Sequence, residues 1–200
     1  LARYRTATWR NPLHPPTVEA FRGLKALLGN TDLPLILDSG CGTGVSTRRL
    51  AQRFQDALVI GVDKSADRLS RGGLAGLPCR EGNAIFIRGE LTTFWRLALQ
   101  EGWVLERHYL LYPNPWPKPG HVQRRWHAHP VFQDLLRLGG RVEMRTNWSV
   151  YAEEFAFAVN FFSGADVAVG PVAESDPLSP FERKYRASRH DLFSVVKPKP

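Results

Sequence analysis

Two hundred residues with 43% apolar content can bury a core of their own, which excludes a disordered chain and removes the need for disulfide or metal staples. No run approaches the ~20 apolar residues of a membrane span and no charged-then-apolar leader stands at the start, so a cytoplasmic protein without membrane contact is expected. Twenty-seven basic against 19 acidic residues, a net charge of +8, point to a polyanionic partner.

The first residue is Leu1 rather than Met, so a short preceding segment is expected. A basic stretch with Arg3, Arg5 and Arg10, then Pro12, Pro15 and Pro16, opens the chain, and Thr17 is placed to cap a helix over 17–28. Apolar runs predict strands over 34–39 and 58–63, with helices over 44–54 and after Lys64. Cys41 and Cys79 lack the C-x-x-C spacing of a zinc site or a disulfide framework and read as reduced, structural thiols. A strand over 84–88 and a helix over 91–100 follow, and a strand over 108–112 runs into a Pro-rich loop. Residues 131–138 read as helical, Gly139 and Gly140 open a strand over 141–146, and a helix covers 148–162. Strands over 166–169 and 192–196 close the series. Apolar strands bracketed by helices imply an α/β fold with a mostly parallel, seven-stranded sheet covered on both faces. The last two strands are close enough in sequence to pair antiparallel at an edge. No repeat or linker interrupts the chain, so one domain over 1–200 is expected, with a basic N-terminal segment and helix over 1–30 and the core over 34–200.

Residues 35–44 read L-I-L-D-S-G-C-G-T-G, an apolar strand running into Gly40, Gly42 and Gly44 and then a helix. Glycines at such a turn permit positive φ and let a ligand approach the bare backbone, while the helix N-terminus supplies unpaired N–H groups. A second strand ends in Asp63, about 20 residues on, the spacing at which such folds grip a ribose hydroxyl. The third glycine falls one residue too early for a dinucleotide fingerprint, and Asp38 stands at the end of the first strand. An acid there suits a cationic ligand better than a pyrophosphate. S-adenosylmethionine, with its ammonium and sulfonium, fits, and the segment reads as the first motif of a Rossmann-like class I methyltransferase.

Ligands of such sheets bind beyond the carboxyl ends of the strands, which singles out Asp38, Asp63, Glu90 and Asn114. Glu90 could receive an adenine amino group or serve only as a helix N-cap. The fourth of these strands leads into P-N-P-W-P-K over 113–118, then His121, Arg124 and Arg125. Three prolines fix the backbone around one amide and one indole, which suits a pocket wall. Trp116 could stack on an extruded base or pack under the loop.

The loop resembles that of the bacterial tRNA (guanine-N7)-methyltransferases, in which P-D-P-W-x-K, a His and paired basic residues follow the fourth strand. Thr146-Asn147-Trp148 is similar to the family's T-D-W segment, and Leu178-Ser179-Pro180-Phe181-Glu182 to its T-x-F-E signature. The resemblance implies a monomeric or weakly dimeric enzyme that uses S-adenosylmethionine to form 7-methylguanosine at the variable-loop guanine, position 46, of tRNA. It places Asp38, Gly40, Gly42, Gly44, Asp63, Glu90 and Asn114 around the cofactor, with Asn114 at the catalytic position. Lys118, Asn147, Ser179, Phe181 and Glu182 fall around the substrate, and Trp116, Arg124 and Arg125 against the RNA. No metal is implied. His121, His127 and His129 fall in the basic loop as phosphate or sugar contacts.

This chain departs from the family at two charges: Asn114 and Asn147 stand where the family has aspartates. Guanine N7 carries an in-plane lone pair and no proton, so methyl transfer needs alignment rather than a general base. Activity is therefore expected, if slow. Two alternatives stay open: a methyltransferase acting on an exocyclic amine, to which an N-P-W loop is also suited, and a non-catalytic RNA-binding relative. The basic groups Arg3, Arg5 and Arg10, Lys118, Arg124 and Arg125, and Arg183, Lys184, Arg186 and Arg189 form a phosphate-binding surface if they share one face; otherwise each is a solvated stretch.

Overall fold

The computed structural model describes residues 9–173 and 177–199. Its strands are β1 (Leu35–Ser39), β2 (Leu58–Asp63), β3 (Cys79–Glu81), β4 (Ala84–Arg88), β5 (Arg107–Leu111), β6 (Arg141–Thr146), β7 (Val169–Pro171) and β8 (Phe193–Lys197). They form one sheet in the order β3-β4-β2-β1-β5-β6-β8-β7. The central run from β4 to β6 is parallel, while β3, β8 and β7 pair antiparallel with their neighbours. The chain winds outward from β1 through β2 to β4, then returns to β5 on the other side of β1. That reversal opens a crevice beyond the carboxyl ends of β1 and β5.

The helices are α1 (Pro15–Leu28), α2 (Val45–Arg53), α3 (Ala66–Arg71), α4 (Leu91–Gln100), α5 (Phe132–Arg137), α6 (Ser149–Ser163) and α7 (Pro180–Ala187). One core joins α1, α4, α5 and α6 to the sheet through Phe21, Phe94, Trp95, Phe132 and Phe155. A second, under α2 and α3, contains Leu50, Val59, Leu69 and Phe86. All six residues of β2 are buried, as a strand covered on both faces requires. Gly61 is required by the closeness of α2: a Cβ there would meet Thr47 Oγ1 at 2.3 Å.

Several expectations need correction. The sheet has eight strands rather than seven, because the polar stretch Cys79–Glu81 turns back through Gly82, at φ +58°, to pair with β4. The helix α1 begins at Pro15, with His14 as N-cap, since prolines in the first turn have no N–H to lose. Thr17 is not its cap: it is fully buried, and its Oγ1 accepts the Glu90 N–H at 2.9 Å. The strand expected over 166–169 begins only at Val169, because Asn160 takes both the N–H and the C=O of Val167. The helix α7 is absent from the sequence-based expectation, its residues being dominated by charge.

Beneath the crevice lies a buried polar chain. Trp95 Nε1–H donates to Ser39 Oγ at 3.0 Å, and the same hydroxyl is hydrogen-bonded to His108 Nε2 at 2.8 Å. Burial lowers the His108 pKa to about 3 and keeps the ring neutral. A folded pKa below the unfolded value gives stability that is complete above about pH 6.5 and is lost as pH falls toward 3. Going from pH 7.5 to 5 should therefore cost the parent about 2 kcal/mol more than His108→Gln, which cannot titrate. Urea unfolding of both proteins at the two pH values measures that difference.

Candidate active site

The crevice holds a cleft of ≈ 420 Å³, walled by Ser39 and Gly40, by Asp63, Lys64 and Arg68, by Glu90, and by Tyr112, Asn114, Trp116 and Arg124. Gly40, Gly42 and Gly44 adopt φ of +87°, +60° and +77°. The N–H groups of Gly40 and Cys41 both donate to Val62 C=O, at 2.8 and 3.1 Å. Gly42 N–H donates to Asp63 Oδ2 at 2.9 Å, while Gly44 is the left-handed N-cap of α2. Gly40 is thus on the wall, and the other two glycines set the turn behind it.

Asp63 stands at the end of β2, facing the cleft. Its Oδ1 accepts the Ser65 N–H at 2.8 Å and pairs with Arg68 at 3.1 Å. Glu90 is the N-cap of α4, and its Oε2 accepts the Thr93 hydroxyl at 3.0 Å. It separates the cleft from an adjoining cavity of ≈ 770 Å³ formed with α1, whose apolar walls include Pro16, Ala20, Leu74 and Leu77. Two carboxylates beside an apolar recess suit a nucleoside, with hydroxyl donors at one and a flat ring beside the other.

Asp38 is not on this wall. It is 1% exposed, and its Oδ2 accepts the hydroxyls of Ser46 at 2.6 Å and Thr47 at 2.7 Å. Its carboxylate fastens α2 from beneath the loop, which corrects the expectation that it meets the cofactor directly. Burial raises its pKa to about 6.

The loop after β5 is held by unusual backbone. Tyr112 and Trp116 have φ of +53° and +46°, bracketing Pro113, Asn114 and Pro115. Asn114 Oδ1 accepts the Trp116 N–H at 3.3 Å, which turns the exposed amide toward the cleft. The Arg124 guanidinium lies 4.8 Å above the Trp116 ring, and His121 packs edge-on at 5.5 Å. Arg125 does not reach outward. It is buried, donates twice to the Trp116 C=O, pairs with Glu154 and lies 4.9 Å above the Trp148 ring. It clamps the loop and is corrected from RNA contact to structural residue. His127 is buried and its Nε2 lies 3.0 Å from Glu154, while His129 is half-buried and packs against Trp9 at 4.8 Å.

Lys118 is exposed on the same loop, outside the cleft wall. Ser179 caps α7 by accepting the Glu182 N–H at 3.1 Å. Glu182 is fully buried between Arg145, at 3.0 Å, and Arg186, at 2.9 Å, so it anchors α7 to β6 instead of meeting a substrate. Phe181 is 48% exposed, and Asn147 is 3.4 Å from His190; both lie beyond Tyr112. Arg3 and Arg5 are outside the described residues. Lys64, Arg68, Tyr112 and Trp126 line the cleft without having been singled out in the sequence. Their nearness to Asp63 and to the Pro-rich loop was the available signal. Among the described residues no group of three or more His, Cys, Asp or Glu is placed to hold a metal, and no helix is long and apolar enough to cross a membrane.

A raised folded pKa means that Asp38 destabilises the fold increasingly as pH rises from about 3.8 through about 6. Between pH 4 and pH 8 the parent should lose about 2 kcal/mol of stability relative to Asp38→Asn, whose amide oxygen still accepts both hydroxyls. Chemical unfolding of the pair across that range checks both sign and size.

The Methyltransf_4 family, a methyltransferase family, matches residues 32–194. A tRNA (guanine-N(7)-)-methyltransferase of Mycobacterium avium (strain 104) is 31% identical over 204 residues, spanning 92% of this chain and 70% of the relative. One from Leifsonia xyli subsp. xyli is 28% identical over 180 residues, spanning 86% and 78%. Among solved structures, an antibiotic-related methyltransferase superposes with a TM-score of 0.59 at 19% identity, covering 88% of this chain and 92% of that one. A 16S rRNA methyltransferase, KamB, gives 0.57 at 16% identity, covering 90% and 93%. At such identities the structures show a shared class I methyltransferase fold. The chain belongs to the tRNA (guanine-N7)-methyltransferase family, S-adenosylmethionine-dependent enzymes.

Proposed function

We propose that this cleft transfers a methyl group to N7 of the variable-loop guanine, position 46, of tRNA. The observation that carries the reading is the meeting, in one cleft at the switch point of the sheet, of Asp63 and Glu90 with the Asn114 amide and the Trp116 and Arg124 pair. Asp63 is placed to accept ribose hydroxyls and Glu90 to accept from a purine amine, the ring lying toward Pro16 and Leu77. When bound, S-adenosylmethionine supplies an electrophilic methyl on sulfur.

What the protein must provide is alignment, since the guanine N7 lone pair needs no deprotonation. Holding two reactants in an attack geometry contributes several kcal/mol of barrier reduction. Asn114 is suited to that role because prolines fix its neighbours and its amide oxygen accepts from the guanine N1–H and N2–H₂ edge. An amide stabilises the positive charge that develops on the ring less than a carboxylate does, and one such electrostatic partner is commonly worth 10²- to 10³-fold. Trp116, stiffened by Arg124, presents a ring face to an extruded base. A monomer or weak homodimer acting on tRNA in the cytoplasm completes the reading.

Incubation with labelled S-adenosylmethionine and unmodified tRNA, followed by digestion, should yield labelled 7-methylguanosine at the variable-loop position. Label in another nucleoside, or none despite cofactor binding, rejects the reading in favour of an amino-methyltransferase or an inactive relative. In the same assay Asn114→Asp should raise kcat by roughly tenfold, a part of the electrostatic gain cited above. A kcat below that of the parent would sink the charge argument.

A further inference from the structure

Asn147, just after β6, and Phe181, in the first turn of α7, are joined in space by Tyr185, one turn further along α7, and by His190 beyond that helix. The Tyr185 ring stacks with Phe181 at 6.2 Å and 24° and lies 5.3 Å from His190, whose Nδ1 meets the Asn147 amide. Tyr185 also lies 5.7 Å from Tyr112, which lines the cleft. A continuous path of rings therefore runs from the cleft wall through Tyr185 to the open face of Phe181.

These rings are not needed to hold α7, because Glu182 already binds that helix to Arg145 and Leu178 is buried beside it. Lys184 and Arg189, next in the chain to Tyr185 and His190, are both exposed. Flat apolar rings set among cations are the surface chemistry of single-stranded nucleic acid, in which bases stack and phosphates pair. A base extruded into the cleft leaves an unpaired neighbour beside it.

We propose that Tyr185, with Phe181 and His190, is a stacking platform for an unpaired base adjacent to the one that is methylated. Lys184 and Arg189 take the phosphates on either side. This rests on the tRNA reading above and adds a positioning surface to it. The platform acts on RNA binding and orientation, not on the methyl transfer itself.

Two readouts test it. With tRNA as substrate, Phe181→Ala and Tyr185→Ala should each lower kcat/KM about tenfold or more, mainly through KM for tRNA, while KM for S-adenosylmethionine stays at the parental value. Tyr185→Phe, which keeps the ring, should restore binding. Separately, a short single-stranded RNA carrying 2-aminopurine should be quenched on binding the parent and Tyr185→Phe, and much less on binding the two alanine variants. Phe181 is largely exposed, so its variant keeps the test valid if Tyr185→Ala misfolds. Parental KM and parental quenching in the alanine variants overturn the platform, as does a Tyr185→Phe variant no better than Tyr185→Ala. A parent that makes no 7-methylguanosine yet quenches the probe through Tyr185 rejects the tRNA reading and leaves the platform standing; a parent that quenches nothing rejects the platform.

Discussion

The hydrogen bonds from the Ser46 and Thr47 hydroxyls to the buried Asp38 carboxylate tie the first turn of α2 to the end of β1. Asp63 completes the restraint from the side, accepting the N–H groups of Gly42 and Ser65. Between them the glycine loop has little freedom, and its left-handed residues cannot relax into a longer helix. Gly61 lets α2 approach closely enough for Thr47 to reach Asp38. The cleft floor depends on this arrangement, and burying one carboxylate to achieve it carries a standing cost above pH 6.

A comparable restraint governs the opposite wall. Left-handed backbone at Tyr112 and Trp116 costs of order 1–3 kcal/mol at each residue, and persists only where surroundings over-determine it. The Arg125 guanidinium supplies that surrounding: it binds the Trp116 C=O, is paired with Glu154 and is stacked on Trp148. An arginine that reads in sequence as one half of a basic pair is thus divided from its neighbour by burial. Arg124 stays with the cleft and Arg125 holds the loop in place.

The parallel centre of the sheet was legible because strands covered on both faces are apolar throughout, and β4 and α4 match their predicted bounds residue for residue. The short polar strand β3 and the charged helix α7 were not, since neither buries an apolar face of readable period. That Asp63, Glu90 and Asn114 line the cleft was legible from their positions at strand ends. The positions of Asp38 and Glu182 were not: an acid near a loop looks the same in sequence whether it faces a ligand or a hydroxyl or guanidinium from a distant element. Tyr185 escaped because its neighbours Tyr112 and His190 come from other segments, and only the return of α7 to β6 brings them together.

The two asparagines can be understood from the charge of the product. Methylation at N7 leaves the purine with a positive charge, so a carboxylate at position 114 would stabilise both the transition state and the bound product. An amide in the same place gives up part of the first effect and with it part of the second. Under the proposed function the chemical step would slow and the product would be held less tightly, and binding would fall more heavily on contacts that do not sense the ring's charge. On that reading, the ring faces of Trp116 and Phe181 and the Arg124 cation stacked on Trp116 are the groups suited to that demand. Under the proposed function, affinity for RNA would thus be separated from stabilisation of the charge formed in the reaction.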